Sequence, residues 1–408
     1  MPENQTFGFS ELAKQASLQP KESPVSELNP LKAITIGVPK EITMQEHRVP
    51  LTPSSVQLLV NNGNDVIIES NAGKDARFSD KDYSDAGAKI AYGREEVFKS
   101  NVIVKVEPPT EDEINLLMPE QMLISALQHA SKSEKTIRSM MQKKVNAIAF
   151  EFLREPDGSF PIIRSMSEIA GITAISVASE LLSFSKNGKG EMLGGVTGIP
   201  PTEVVIIGAG TVAEFAAKAA LGKGASVKVF DNSLAKLRRL QNAVGCHLFT
   251  SLLHPKILSK AISNADVVIG AFFSEDGRCP VVVTEEMVAK MKPNSVIIDI
   301  SIDQGGLFET SEITNHANPT FIKHDVIHYC VPNITSRVCR TASYALSNIL
   351  TPLLLDISQS QSFSEFLFAN PSIRQGVYLY KGNLTNKHLG RRLNIYNKDL
   401  DLLLAAHA

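Results

Sequence analysis

The residues best placed to do chemistry are Gly208-Ala-Gly210-Thr211-Val-Ala213, which follow the apolar run VVII and open a small-residue stretch, EFAAKAALGKGA. A second apolar run, VKVF, then ends in Asp231. These types at this spacing suit a dinucleotide. Gly208 permits a tight turn, Gly210 lets the backbone approach a pyrophosphate, Ala213 allows close helix packing, and the helix N-terminus offers N–H groups to phosphate. An acidic residue roughly 20 positions further on accepts hydrogen bonds from the adenosine ribose hydroxyls and repels a 2′-phosphate, so Asp231 points to NAD rather than NADP. A second candidate is LISALQHAS (123–131), where an apolar run stops at Gln128 and His129. It reads as a buried strand delivering polar groups at its C-terminal end, where open α/β sheets place ligands. A lone histidine there is more often structural than catalytic.

The elements that must position these groups follow a repeating rhythm. After a first stretch of 1–33, rich in Pro, Ser, Lys and Glu and read as an arm, strand-like runs begin at Ile34–Val38 and continue at 66–70, 101–106, 122–127 and 147–152. Charged amphipathic stretches separate them, as in parallel βαβ units. A second series starts at 203, 226, 266 and 295, with more fully apolar strands, as a sheet covered on both faces requires. The expected fold is therefore α/β with two Rossmann-like, doubly wound parallel sheets. The length of 408 residues, with 43% hydrophobic and 21% charged residues, also suits two globular domains.

The formal net charge of −2 gives no electrostatic footprint for nucleic acid or an anionic membrane surface. The longest apolar stretches, such as Ile349–Leu355, read as too short to span a bilayer, and the polar N-terminus lacks a signal-peptide layout, so a cytoplasmic protein without a membrane partner is expected. Cys246, Cys279, Cys330 and Cys339 form no Cys-x-x-Cys pair, which favours reduced thiols over a disulfide framework or a zinc site.

Four segments, IGVPKEITMQEHRVPLTPSSVQLLVNNG (36–63), the glycine unit above, MKPNSVIIDISIDQGG (291–306) and HDVIHYCVPNITSRVCRTASYALSN (324–348), together resemble the alanine dehydrogenase family, which includes the NAD-binding part of proton-translocating transhydrogenase. The resemblance runs from about residue 34 to the C-terminus. It implies a discontinuous catalytic domain of 34–160 plus 341–408, an NAD-binding domain of 161–340 inserted into it, and a long helix around Ala342–Ile357. It further implies a homo-oligomer, commonly a hexamer. Residue by residue, Arg48 matches the arginine that grips the substrate carboxylate, Asp303 the catalytic aspartate, and Asn333 the asparagine beside the substrate. Ser167 matches a serine near the cofactor and Lys236 a lysine near the adenosine ribose.

Two positions depart from the family pattern. Where the family has Lys-Val-Lys-Glu-Pro, with a second lysine that polarises the substrate oxo group, this chain has Lys105-Val-Glu107-Pro-Pro. Where the family has its histidine, gapless alignment places Gln128, with His129 one step further and so on the opposite face of an extended strand. Glu107 could pair with a cationic group of a larger amino acid, orient Gln128, take over acid/base work if burial raised its pKa, or neutralise Arg48 or Lys105. The expected activity is NAD-dependent oxidative deamination of a small L-amino acid such as alanine, giving a 2-oxo acid and ammonia, with Asp303, Gln128 and Glu107 at the reacting centre. The alternatives are a saccharopine-type amine-forming dehydrogenase and a non-catalytic NAD-binding protein resembling the soluble transhydrogenase component.

Overall fold

The structure, a computed structural model, describes residues 33–43, 45–127, 134–184, 187–274 and 278–406. The expected arm (apart from its last residue), Gln128 and His129 lie outside the described residues.

The first series of apolar runs forms β1 (Thr35–Val38), β2 (Asp65–Glu69), β4 (Val102–Val104), β5 (Met122–Ser125) and β6 (Asn146–Ala149), while β3 (Lys89–Ala91) lies outside it. The second forms β7 (Glu203–Ile207), β8 (Ser226–Asp231), β10 (Val267–Gly270) and β11 (Val296–Asp299), while β9 (Phe249–Leu252), β12 (Thr320–Lys323) and β13 (Val326–Tyr329) lie outside it. The chain ends with β14 (Val377–Tyr380) and β15 (Asn383–Leu384). One sheet has the order β15-β14-β6-β5-β4-β1-β2-β3, the other β12-β13-β11-β10-β7-β8-β9. Within each, six neighbouring strands run parallel in the doubly wound order, 3-2-1-4-5-6, and antiparallel strands are added at one edge. The α/β architecture with two Rossmann-like sheets is as the alternating pattern predicts.

Several strands are shorter than their apolar runs, for local reasons. The run 101–106 ends as a strand at Val104, although the Lys105 N–H still donates to the Ile124 carbonyl and the Val106 carbonyl accepts from Ala126; the Val106 N–H turns instead to the Glu41 carboxylate at 2.6 Å. The run 147–152 stops at Ala149, and Phe150–Phe152 turn as a 3₁₀ helix. The Glu151 carboxylate there accepts the Leu127 N–H at 2.7 Å, tying the end of β5 to that turn.

The expected long helix spans Cys339–Gln359. Another, Pro161–Leu182, is long and apolar enough by length and composition to cross a bilayer, which the apolar runs alone did not suggest. It packs as a core helix instead: Ala170, Ala174, Ala178 and Leu182 join the apolar core around β7, β8, β10 and β11. Its Gly171 meets the helix Thr211–Gly222 so closely that an added Cβ would lie 2.4 Å from the Val212 carbonyl oxygen.

Candidate active site

In a doubly wound sheet, ligands settle at the carboxyl ends of the two strands from which the chain departs in opposite directions. These are β1 and β4 in one sheet, β7 and β10 in the other. The loop after β1 carries Glu41, Glu46 and Arg48, and the turn after β4 carries Lys105 and Glu107. All five are buried.

Arg48 is gripped from two sides by Glu46, with Nε donating to Oε1 at 2.7 Å and Nη2 to Oε2 at 2.6 Å. Its remaining nitrogen, Nη1, donates to Thr335 Oγ1 at 3.1 Å and lies 3.4 Å from Met166 Sδ. Glu46 is the hub of the site. Besides Arg48 it accepts hydrogen bonds from Asn333 Nδ2 and from Ser336 Oγ, the latter at 3.2 Å, and it also hydrogen-bonds Glu107. Burial works to raise the Glu46 carboxyl, but Arg48 outweighs it and holds the group below its ordinary value. Among the described residues, the cation paired with Glu107 is Arg48, whose Nη2 lies 3.9 Å away, beyond hydrogen-bond reach. Burial, reinforced by the Glu46 charge and opposed by Arg48, pushes Glu107 up to about 8. Glu41 rises to about 7, chiefly through burial, with Lys105 pulling the other way. Lys105 is fully buried and does not turn to the crevice: its Nζ donates to both oxygens of Glu113, at 2.9 and 3.1 Å, and lies 3.4 Å from Glu41.

The other sheet sends residues to the same place. After β11 the chain turns through a 3₁₀ helix, Ile300–Gln304, into Gly305 and Gly306, both at positive φ. Asp299 folds this loop by accepting from the Ser301 and Leu307 N–H groups, at 3.0 and 2.8 Å, and from Ser311 Oγ at 2.7 Å. Asp303 is thereby turned outward. Its Oδ1 accepts the Asn333 N–H at 3.1 Å. Crowding by protein pushes its carboxyl up to about 6, against the pull of that hydrogen bond and of Arg48, although the residue keeps solvent-accessible surface. Asn333 itself adopts the left-handed conformation, φ 57°, which an asparagine tolerates better than most residues. A continuous line of contacts thus runs Asp303–Asn333–Glu46–Arg48, with Glu107 beside it. Four residues singled out from the sequence, Arg48, Glu107, Asp303 and Asn333, meet here. Glu46 was not among them, and its signal was its spacing: two residues before Arg48 in an extended loop, it points to the same side. Ser167 lies half-buried on the helix Pro161–Leu182, next to Met166.

The second crevice is built from backbone. Gly208 has φ 115°, and a Cβ there would stand 2.3 Å from the Ala271 carbonyl oxygen, so the turns after β7 and β10 touch. Gly210 is the N-cap of the helix Thr211–Gly222, makes no side-chain cap, and a Cβ on it would meet nothing within 4 Å. That is a cradle open toward a helix N-terminus, with half-buried Thr211 and buried Ala213 in the first turn, and it fits a pyrophosphate. Asp231 ends β8 as expected, but it is buried and both of its oxygens already accept backbone N–H groups at 2.7 Å, Oδ2 from Ala209 and Oδ1 from Ser233. It therefore fastens the glycine turn to the neighbouring strand. Lys236 stands exposed in the first turn of the helix Leu234–Val244.

The family model for the N-terminal domain of alanine dehydrogenase/PNT matches residues 37–170, and that for the C-terminal domain matches 174–387. The chain belongs to the alanine dehydrogenase/PNT family. It is 38% identical over 367 residues to alanine dehydrogenase 2 of Staphylococcus aureus strain USA300, covering 90% of this chain and 98% of that protein. Among solved structures it is similar to an L-alanine dehydrogenase, with a TM-score of 0.82 at 34% identity over 88% of this chain and 98% of the other. It shares its fold with a transhydrogenase from Sinorhizobium meliloti, TM-score 0.74 at 22% identity, over 86% and 99% of the two chains. It is accordingly an NAD-dependent oxidoreductase of the alanine dehydrogenase type.

Proposed function

We propose that this protein interconverts a small L-amino acid with its 2-oxo acid and ammonia, using NAD bound at the glycine turn. The observation that carries this reading is the meeting of Arg48, Asn333, Asp303 and Glu107 from two sheets, beside a crevice shaped for a dinucleotide. Alanine is the first substrate to test, because the chain is similar to alanine dehydrogenases in both sequence and fold.

The Arg48 edge bearing Nη1, turned away from Glu46, receives the substrate carboxylate; a guanidinium fork is suited to that role. Asn333 borders the substrate. Asp303, ionised at neutral pH with a value near 6, takes the proton released as substrate nitrogen or attacking water changes charge. Glu107 stands at the substrate oxo position, and Gln128 is placed there by the resemblance. NAD, when bound, supplies the hydride acceptor. Gly208, Gly210, Thr211 and Ala213 hold its phosphates, while Ser167, Asp231 through its remaining lone pairs and Lys236 flank the rest. Two domains, 34–160 plus 341–408 and 161–340, bear the two crevices. Assembly as a homo-oligomer, commonly a hexamer in this family, is tested by light scattering.

Glu107 also favours a second reading, in which the partner substrate is an amine larger than ammonia. Both readings are tested by NADH oxidation with pyruvate and ammonia, followed by a panel of 2-oxo acids and primary amines. Turnover with ammonia supports the first, turnover with larger amines alone supports the second, and NADH binding without turnover rejects both.

A further inference from the structure

The crevice at β1 and β4 holds more carboxyl groups than cations. Lys105 is committed to Glu113 and Glu41, at 2.9 and 3.4 Å, and Arg94 to Glu113 and Glu69, each at 3.2 Å. Among the described residues, that leaves Arg48 as the cation facing both Glu46 and Glu107, and Glu46 claims it with two hydrogen bonds. Glu46 and Glu107 are nevertheless in contact, and both side chains are almost completely buried, at 0% and 3% exposure. Among the described residues, Glu41 on the same loop adds a further acid, and the two other titratable groups that face Glu46, His316 and Cys339, are held toward their neutral forms by burial. Two touching carboxyls out of water cannot both ionise beside one guanidinium, since like charges at such a site force one group to keep its proton.

We propose that Glu46 and Glu107 share one proton, held on Glu107, so that the substrate pocket presents a neutral carboxylic acid to the oxo oxygen where the resembling enzymes present a cation. This rests on the proposed amino-acid dehydrogenase reading and names the acid of its reaction. As ammonia adds to the carbonyl carbon, the C=O π pair moves onto oxygen and the Glu107 proton moves to that oxygen. The Glu107 carboxylate then takes a proton from the new ammonium nitrogen, leaving a neutral amino alcohol and the pair as it began. Glu46 is a positioning residue in this step: it keeps the proton on Glu107 by occupying Arg48.

The test begins on the ligand-free full chain, so that it reads the proton whether or not an oxo acid is turned over. Infrared difference spectra of wild type minus Glu107→Gln at neutral pH should show a protonated-carboxyl C=O band that shifts in D₂O and disappears above about pH 8. In Glu46→Gln the acid is left beside an unclaimed Arg48 and should ionise, so the band should be missing at neutral pH. Glu41→Gln should retain it. Absence of the band from the wild type minus Glu107→Gln difference, or its loss in Glu41→Gln, overturns the proposal. In turnover, Glu107→Gln should lower kcat/KM for the oxo acid on the order of 10²-fold and abolish an alkaline limb that Glu46→Gln moves to lower pH. A limb unmoved by both variants overturns the catalytic role even where the infrared band is present.

Discussion

The crevice between β1 and β4 is crowded with buried charge that meets other side chains, whereas the crevice between β7 and β10 is made of backbone and glycine, with Asp231 accepting two main-chain N–H groups and Arg239, paired with Glu214, donating to the Ala209 carbonyl. The two sheets share a strand order, so topology alone does not decide what each holds. The loops decide. A pyrophosphate needs close backbone and N–H groups, which bulky side chains would obstruct. A small acid undergoing proton and hydride transfer needs fixed charges and groups that titrate near neutrality.

The contrast can be broken most forcefully at Asp303. Asp303→Asn keeps the shape and removes the proton acceptor, so turnover should drop roughly 10²–10⁴-fold while NADH affinity is little changed. Near-normal turnover would reassign Asp303 to the loop's structure. In the backbone crevice the largest loss should be one of stability. Gly208→Ala puts a Cβ against the Ala271 carbonyl oxygen at a φ of 115°, and urea unfolding should show a loss of roughly 2–3 kcal/mol. Gly210→Ala, with open space at the Cβ, should leave unfolding unchanged. Equal unfolding midpoints for the two variants would mean that the turns after β7 and β10 do not touch.

Cofactor choice should be a smaller effect. In the ribose-binding role proposed for it, Asp231 should favour NAD over NADP by about 1–3 kcal/mol, and superimposable titrations of the two would remove it from that role. The smallest effects are on the pH dependence of stability, with opposite signs in the two sheets. Glu107 keeps its proton to about 8 against an ordinary 4.5, so between those values the folded chain binds more protons and stability falls as pH rises. His328, buried in β13 between Thr310 and the Val326 carbonyl, is lowered by burial from 6.5 to about 4, so stability falls as pH drops through that window. Thermal unfolding across pH should lose a decline with rising pH between 4.5 and about 8 in Glu107→Gln, and a decline with falling pH between 6.5 and about 4 in His328→Gln, each by at most about 1.4 kcal/mol per pH unit. Parallel curves for wild type and variants would contradict both assignments.

The apolar runs and the glycine unit made both sheets legible, because period and turn chemistry are local properties. The strands β3, β9, β12, β13, β14 and β15 were not, since two to four residues carry no period of their own; β4 is as short but sits inside a longer apolar run. In the site, Arg48 and Asp303 stood out within long motifs. The hub Glu46 did not, because its meaning comes from Asn333 and Ser336, which lie 287 and 290 positions away. Asp231 was found for its position, but its bonds to Ala209 and Ser233 belong to the fold and are invisible in the sequence.

The division of labour between the crevices is tested most directly by steady-state NADH oxidation with pyruvate and ammonia in wild type, Gly210→Ala and Arg48→Lys, with KM read for both NADH and the oxo acid. Gly210→Ala should raise the NADH value about tenfold, ~1.4 kcal/mol, and leave the oxo-acid value alone. Arg48→Lys, which keeps the charge but loses the fork, should do the reverse. Two variants shifting the same constant, or wild type that oxidises no NADH with pyruvate or any other 2-oxo acid in the panel, would contradict it.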